Sequence, residues 1–538
     1  MRDGETPYGN LLVILAALLS IGLLSVTFRT SSLVFDSPLT EDAYYVLTVS
    51  RNIARGIGFS VDGTTLTNGF HPLWAIVTSV IFVLVGEASE PAIRILLAVS
   101  AMLAVLSAFS WSSLIGSAFD ADNRLYRIVF VLVYLTSFQL LVQHFNGLET
   151  GFILVLFAIV GTYWRRSFDY RIRSSAILGM LLGILVLARI DAAIFAALIA
   201  AEVAWRLRLN LRQAFAQLAI IGGVASLIAA PWFLYNLALT GKLTPVSGLA
   251  LGIASATPFS RVVNTAGAVA RDGFPNIVGE INPPASLAVF VLACVFSLFL
   301  LRRQSVGSLP FVSRAPTEAE ASTRRCREYL TILLAYVSVQ IVAYTITNNA
   351  AFFYPRYFIL LSVAAVGMFA FLLYRLALSR LAWLIPMVAV LLTAGALTTI
   401  AGWHGAVLGD RLNRLQGYNN GPTLGQVALA KAVRLKGEKL GALQTGTLAF
   451  FVEGAINLDG RVNFAAYEAR RQGKLLEYVL AQRIGLLVDY EIYLRPGNFD
   501  YFMANEDVGR YFSRIAPDRP PRDYDWVALQ RSDGAPAR

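Results

Sequence analysis

The chain has 538 residues, 56% of them hydrophobic and 15% charged, which leaves too little polar surface to coat a soluble globule of that length and indicates a polytopic membrane protein. Lys and Arg outnumber Asp and Glu by 45 to 34, for a formal net charge of +11, yet the basic residues fall in short clusters between apolar runs, as cytoplasmic loops do and nucleic-acid surfaces do not. Two cysteines exclude a disulfide framework, and the three scattered histidines, His71, His144 and His404, offer no metal-ligand spacing.

In chain order, Leu11 to Phe28 is too long for a signal-peptide core and lacks a small-residue cleavage site, so it is expected to be a retained first span. Next comes a polar stretch, Thr40 to Trp74, opening on Glu41 and Asp42 and closing on an Asn68-Gly69-Phe70-His71-Pro72 corner. Further apolar runs follow at 73–86, 93–118, 126–143, 148–164, 174–188, 190–205, 215–238, 286–301, 329–346, 356–374 and 381–401. The loops around Arg165, Arg166, Arg171 and Arg173, from Arg206 to Arg212, from Arg302 to Arg327, and from Arg375 to Arg380 are basic and are predicted to face the cytoplasm. That assignment holds with the N-terminus inside only if the short run 73–86 is a re-entrant or partial helix. The predicted architecture is therefore a polytopic α-helical membrane protein of eleven full spans plus one partial helix, in a domain 1–402 with a first outer loop 29–72. Past Trp403 the composition turns soluble, and residues 403–538 read as a small extracytoplasmic α/β domain. Its patterns predict helices at Thr423–Gly437 and Phe464–Arg483, and strands near Leu440–Gln444, Ala455–Leu458, Gly485–Asp489 and Asp525–Leu529.

On this topology the outer face collects polar side chains and the inner face only positive charge, so a site belongs outside. Glu41 and Asp42 can be first-turn acids of a helix capped by Thr40, or they can supply a carboxylate base beside Tyr44, Tyr45, Arg51, Asn52 and Arg55. The pair can also hold a divalent cation. Arg189, in Ala188-Arg189-Ile190-Asp191, reads either as half of a structural pair with Asp191 or as a phosphate-gripping cation, with Arg356 in Tyr354-Pro355-Arg356-Tyr357 as a second. Glu149 at the start of an apolar run and His71 at the loop corner are further candidates, each with a purely structural alternative.

Three blocks, Glu41-Asp42-Ala43-Tyr44-Tyr45, Arg51-Asn52-Ile53-Ala54-Arg55-Gly56 and Asn68-Gly69-Phe70-His71-Pro72-Leu73-Trp74, together resemble the first extracytoplasmic loop of the GT-C superfamily of membrane glycosyltransferases, most closely its bacterial arabinofuranosyltransferase-like members. Asn146-Gly147-Leu148-Glu149-Thr150, the Arg189 element, Ala230-Pro231-Trp232 with Leu243-Thr244-Pro245, and Asn457-Leu458-Asp459-Gly460-Arg461-Val462-Asn463 are similar to later blocks, in the same order. The resemblance implies a helical membrane domain with an extracytoplasmic C-terminal domain, in the plasma (inner) membrane of a bacterium. It also implies transfer with inversion of a monosaccharide from a polyprenyl-phosphate donor to a hydroxyl of a cell-envelope glycan, lipid or protein. Asp42 matches the loop acid expected to be the general base, Glu41 stands where many relatives carry Asp, and Arg189 matches a basic residue near the lipid phosphate.

The expected site is thus Asp42 and Glu41 for catalysis and Arg189 and Arg356 for the donor phosphate. Tyr44, Tyr45, Arg51, Asn68, His71, Glu149 and Asp191 are expected to line the substrate, and Asp459 and Asn463 to serve the acceptor. The acid and Arg189 are expected to meet in one outward-opening chamber, and no metal is required, because an arginine can stabilise a departing monophosphate. The competing class is a lipid or sugar transporter or flippase, for which midplane charges and paired broken helices are the expected signature.

Overall fold

The computed structural model describes residues 8–251, 257–272, 317–347, 354–415, 423–494, 508–517, 522 and 524–532. The predicted span 286–301, its Cys294 and most of the inner loop from Gln304 lie outside the described residues. The chain divides into two compact units, Met1–Val34 with Ile93–Ala229 and Thr257–Asn419, and Phe35–Ala92 with Ala230–Ala256 and Asn420–Arg538. The 29–72 loop is thus divided, most of it grouping with the C-terminal region.

The first unit is helical. Among the described residues, six helices are long and apolar enough to cross a membrane. They are α1 (Gly9–Ser25, continuing to Phe28), α4 (Ser89–Ala118), α10 (Leu211–Thr240), Glu318–Thr347, Ile359–Ala377 and Leu384–Trp403. A seventh span is formed if α5 (Arg124–Thr136) and α6 (Phe138–Phe145), bent by 66° at Ser137, count as one. Three shorter apolar helices, α7 (Thr150–Arg166), α8 (Ile172–Ala188) and α9 (Ala192–Arg206), have 17, 17 and 15 residues. Two glycines let α8 approach closely: a Cβ at Gly179 would press on the Ile221 carbonyl of α10, and one at Gly183 on that of Ala225. Small residues at four-residue spacing serve helix contact in lipid, where packing replaces the hydrophobic drive. Gly161 on α7 likewise leaves room for the ring of Tyr329, which meets Phe195 edge-on in a buried aromatic cluster with Phe157 and Tyr336.

The second unit joins the polar loop to the C-terminal region. Its helix α2 (Glu41–Ala54) is buried along most of its length. α3 (Pro72–Val85) begins with Pro72 at its first turn and has 14 residues, about 21 Å at the α-helical rise, less than a bilayer core. Ile76, Val80, Val83 and Leu84 leave its outer stripe apolar and exposed, as a helix facing lipid requires. Beyond residue 422 a five-stranded sheet forms with order β2-β1-β3-β5-β4, from β1 (Leu440–Ala442), β2 (Ile456–Asn457), β3 (Leu486–Tyr490), β4 (Phe512–Ala516) and β5 (Trp526–Arg531). β1 lies parallel to both β2 and β3, whereas β5 runs antiparallel to β3 and β4. Leu443, Leu458, Leu476, Val479, Leu487 and Val527 fill the core beneath it.

Candidate active site

The chain leaves β1 for β2 on one side and later returns to β3 on the other. The carboxyl ends of these three parallel strands therefore flank a topological switch point, the place where open α/β sheets present their loops to a ligand. Here that edge receives the start of α2. The turn Leu443-Gln444-Thr445 leads from β1 into the helix Gly446–Phe451, and the Gly446 N–H donates to Glu41 Oε1 at 2.5 Å. A Cβ on Gly446 would collide with the Glu41 carbonyl oxygen, so glycine is what permits the approach.

Tyr45 stands one turn further along α2, buried. Its hydroxyl meets Thr445 Oγ1 at 2.9 Å and accepts from the Thr445 N–H at 3.1 Å. The Asn457 amide, at the end of β2, donates to the same hydroxyl at 3.3 Å and to Thr445 Oγ1 at 2.7 Å. Just past β2, Arg461 turns back on the acids: its Nη1 lies 3.8 Å from Asp42 Oδ1 and its Nε 3.3 Å from Asp459 Oδ2. The Asp459 carboxylate also accepts the Arg461 N–H at 2.8 Å. Asp489, fully buried at the end of β3, accepts the N–H groups of Leu443 at 2.6 Å, Gln444 at 3.0 Å and Tyr490 at 2.8 Å, and so fixes the turn that carries Thr445 and Gly446.

Electrostatics follow from this crowding. Burial, with the neighbouring Asp42 carboxylate, pushes the Glu41 carboxyl up to about 8 against the pull of the Gly446 N–H, and Asp459 adds to the rise while Arg461 opposes it. Burial and the Glu41 carboxyl likewise hold the Tyr45 phenol well above its ordinary value. Burial and the adjacent like charge thus favour the protonated form of Glu41, and a carboxyl that holds its proton cannot act as a base.

Other sequence-predicted residues in this unit make contacts within it. The Tyr44 hydroxyl donates to the Phe35 carbonyl at 2.5 Å. Arg51 donates to the Phe450 carbonyl at 3.0 Å with its guanidinium 4.8 Å from the Phe450 ring centre. Asn68 Oδ1 accepts the Val246 N–H at 3.0 Å while its buried amide nitrogen has no hydrogen-bond partner among the described residues, and His71 sits at the N-cap of α3. Asn463 caps the helix Phe464–Arg471, accepting from Ala466 N, and donates to the Asn457 carbonyl and the Tyr478 hydroxyl, both at 2.9 Å. Its polar atoms are spent inside the domain. Gly446, Thr445, Asn457 and Arg461 escaped the list of site residues. The signal for the first two was a strand followed by a polar, Gly-containing turn, and Arg461 stood inside a block already noted.

Arg189 and Asp191 belong to the first unit. Arg189 leaves α8 with an extended backbone and grips Asp191 with two nitrogens, Nε to Oδ1 at 3.2 Å and Nη2 to Oδ2 at 2.6 Å. Its Nη1 donates to the Arg356 carbonyl at 2.8 Å, and its guanidinium lies 4.8 Å from the Tyr357 ring centre. Gln340 and Tyr344 also donate to Asp191 Oδ2, at 2.8 and 3.2 Å. Buried Glu149 is close enough to act on Arg189 electrostatically. Thus Arg189, Asp191, Arg356 and Glu149 share one end of a helix group, while the Arg356 side chain is only partly buried. The opposite end of the same helices gathers Arg165 with Ser117, Arg206 with Glu202 and Glu328, and Arg327 with Asp120.

Among the described residues no group of three or more His, Cys, Asp or Glu side chains is arranged to hold a metal ion. Asp42 faces the Arg461 guanidinium, and Glu41 Oε1 accepts the Gly446 N–H.

No protein-family model matches the chain, and no curated protein does. Among solved structures, the oligosaccharyltransferase of Archaeoglobus fulgidus in its apo form is similar with a TM-score of 0.51 at 12% identity, over 89% of this chain and 69% of that one. ArnT from Cupriavidus metallidurans bound to undecaprenyl phosphate gives 0.48 at 14% identity over 99% of both chains, and the arabinosyltransferase EmbB from Mycobacterium smegmatis 0.33 at 15% over 76% of this chain and 42% of that one. The chain therefore shares the fold of that archaeal oligosaccharyltransferase, with helices long and apolar enough to cross a membrane.

Proposed function

We propose that this protein is an inverting membrane glycosyltransferase that moves a monosaccharide from a polyprenyl-phosphate donor to a hydroxyl of a cell-envelope acceptor. Its site and C-terminal domain face outward from a bacterial plasma membrane. The observation that carries the reading is the acid pair at the start of α2: Glu41 Oε1 accepts the Gly446 N–H, and Asp42 stands beside the Arg461 guanidinium. One carboxyl is thereby reserved for structure and one for proton transfer.

In the proposed step the acceptor oxygen attacks the anomeric carbon from the face opposite the phosphate. Asp42 takes the hydroxyl proton, the bond from anomeric carbon to phosphate oxygen breaks, and the electron pair leaves with the phosphate. Within the helical unit, Arg356 and Arg189, which holds the Arg356 carbonyl and is itself fixed by Asp191, are the residues proposed to bind a lipid phosphate. Such cations act where negative charge develops, which is what lowers the barrier.

The test is a panel of polyprenyl-phosphate pentoses and hexoses offered with membrane glycan acceptors to the purified protein. The reading expects release of polyprenyl phosphate with at least one donor, and its loss in Asp42→Asn. No release with any donor, or equal release by the variant, counts against it.

A further inference from the structure

Arg461 lies about four hundred residues from Asp42 in sequence, yet both belong to the same compact unit and their side chains face each other. Its guanidinium stands between two carboxylates, 3.3 Å from Asp459 and 3.8 Å from Asp42. Its backbone is locked as well: the Asp459 carboxylate accepts the Arg461 N–H, and the Arg470 side chain donates to the Asp459 carbonyl at 3.0 Å. The Gly69 corner of the loop also fits against it, since a Cβ on Gly69 would run into the Arg461 carbonyl oxygen. A surface arginine has no need of such bracing, and one that sets the charge of a neighbour does.

We infer that Arg461 is a positioning residue for the transfer step, holding the Asp42 carboxylate in place and tuning its charge from the C-terminal domain. The inference rests on the reading of Asp42 as the base. It makes that domain part of the reaction machinery, because the edge of a parallel sheet that elsewhere receives a ligand here receives the acid pair. The charged groups beside Asp42 are Glu41, next to it on α2, and Arg461, itself paired with Asp459, from the turn after β2. Arg461 and Asp459 carry opposite charges, so removing each is expected to act on the acid pair in opposite directions.

The experiment measures kcat, donor KM and the acidic limb of the kcat profile for Arg461→Gln, Arg461→Lys and Asp459→Asn. It uses the full-length protein in nanodiscs and the polyprenyl-phosphate monosaccharide turned over fastest in the donor panel. Arg461→Gln is expected to lower kcat about tenfold at neutral pH with donor KM unchanged, and to move the acidic limb up by about one pH unit, as loss of a nearby opposite charge does. Arg461→Lys is expected to return the limb toward the wild-type position, and Asp459→Asn to move it down. Because the Asp459→Asn side chain can still accept the Arg461 N–H, that arm stands even if Arg461→Gln misfolds. A limb that stays in place in both Arg461→Gln and Asp459→Asn overturns the inference, as does equal impairment of Arg461→Gln and Arg461→Lys with no movement of the limb. Asp42→Asn run alongside separates the two failures: wild-type turnover in that variant removes the base itself, whereas its inactivity with unmoved limbs removes only the role of Arg461.

Discussion

Two adjacent carboxyls at the start of α2 are treated differently by their surroundings, and the difference is readable as proton linkage. Glu41 is raised from 4.5 to about 8, chiefly by burial. The unfolded chain releases this proton as pH passes 4.5, while the folded unit holds it to about 8, so the stability present below the lower value is lost across that window as pH rises. Asp489, raised from 3.8 to about 7, again chiefly by burial, acts in the same direction. The melting temperature of the protein in detergent is therefore expected to fall between about pH 5 and pH 8, and Glu41→Gln, which keeps an oxygen for the Gly446 N–H, is expected to flatten part of that slope. A melting temperature that climbs over the interval contradicts the assignment. Arg189 makes a second residue-scale prediction. With two bonds to Asp191 and one to the Arg356 carbonyl, Arg189→Ala takes the cation from a half-buried carboxylate that keeps only its neutral donors Gln340 and Tyr344, and it is expected to cost about 1–3 kcal/mol. Asp191→Asn, measured by thermal unfolding, is expected to cost less.

At the scale of elements, the contact that matters is the one between α2 and the turn after β1. Gly446→Ala is expected to push the helix start away from the turn. A displacement of about 1 Å is enough for about a hundredfold loss in kcat, with the core of the sheet domain intact by circular dichroism. Wild-type turnover in Gly446→Ala would show that the two elements need not touch. Much of this region was legible beforehand. Short apolar runs at Leu440, Leu486 and Trp526 mark the strands, and Glu41 and Asp42 mark the first turn of a helix. The helix expected over Phe464–Arg483 is instead two, Phe464–Arg471 and Leu475–Ala481, because Gly473 adopts a left-handed backbone between them. β4 was not foreseen, since its Ser513 and Arg514 face solvent on the edge of the sheet and give little apolar pattern. The pairing of Asp42 with Arg461 was illegible because it depends on a tertiary approach across most of the chain.

For the whole molecule, hydropathy identified the class and the helices, but the grouping of the polar loop with the C-terminal region follows from packing that no local pattern records. Six or seven helices meet the length and composition of a span among the described residues, and eleven crossings are proposed by adding shorter apolar helices such as α7, α8 and α9. Cysteine labelling at Arg166 and Ala406, with Cys294 and Cys326 replaced, tests that topology: the two are expected on opposite sides of the membrane, and labelling from one side refutes it. The central claim concerns the division of labour between the two acids, and it is tested most directly by polyprenyl-phosphate release from Asp42→Asn and Glu41→Gln, compared at neutral pH with the wild-type protein. Asp42→Asn is expected to lose about a thousandfold in kcat, the scale of general-base catalysis, while Glu41→Gln stays within about tenfold of wild type. An active Asp42→Asn beside an inactive Glu41→Gln would contradict it.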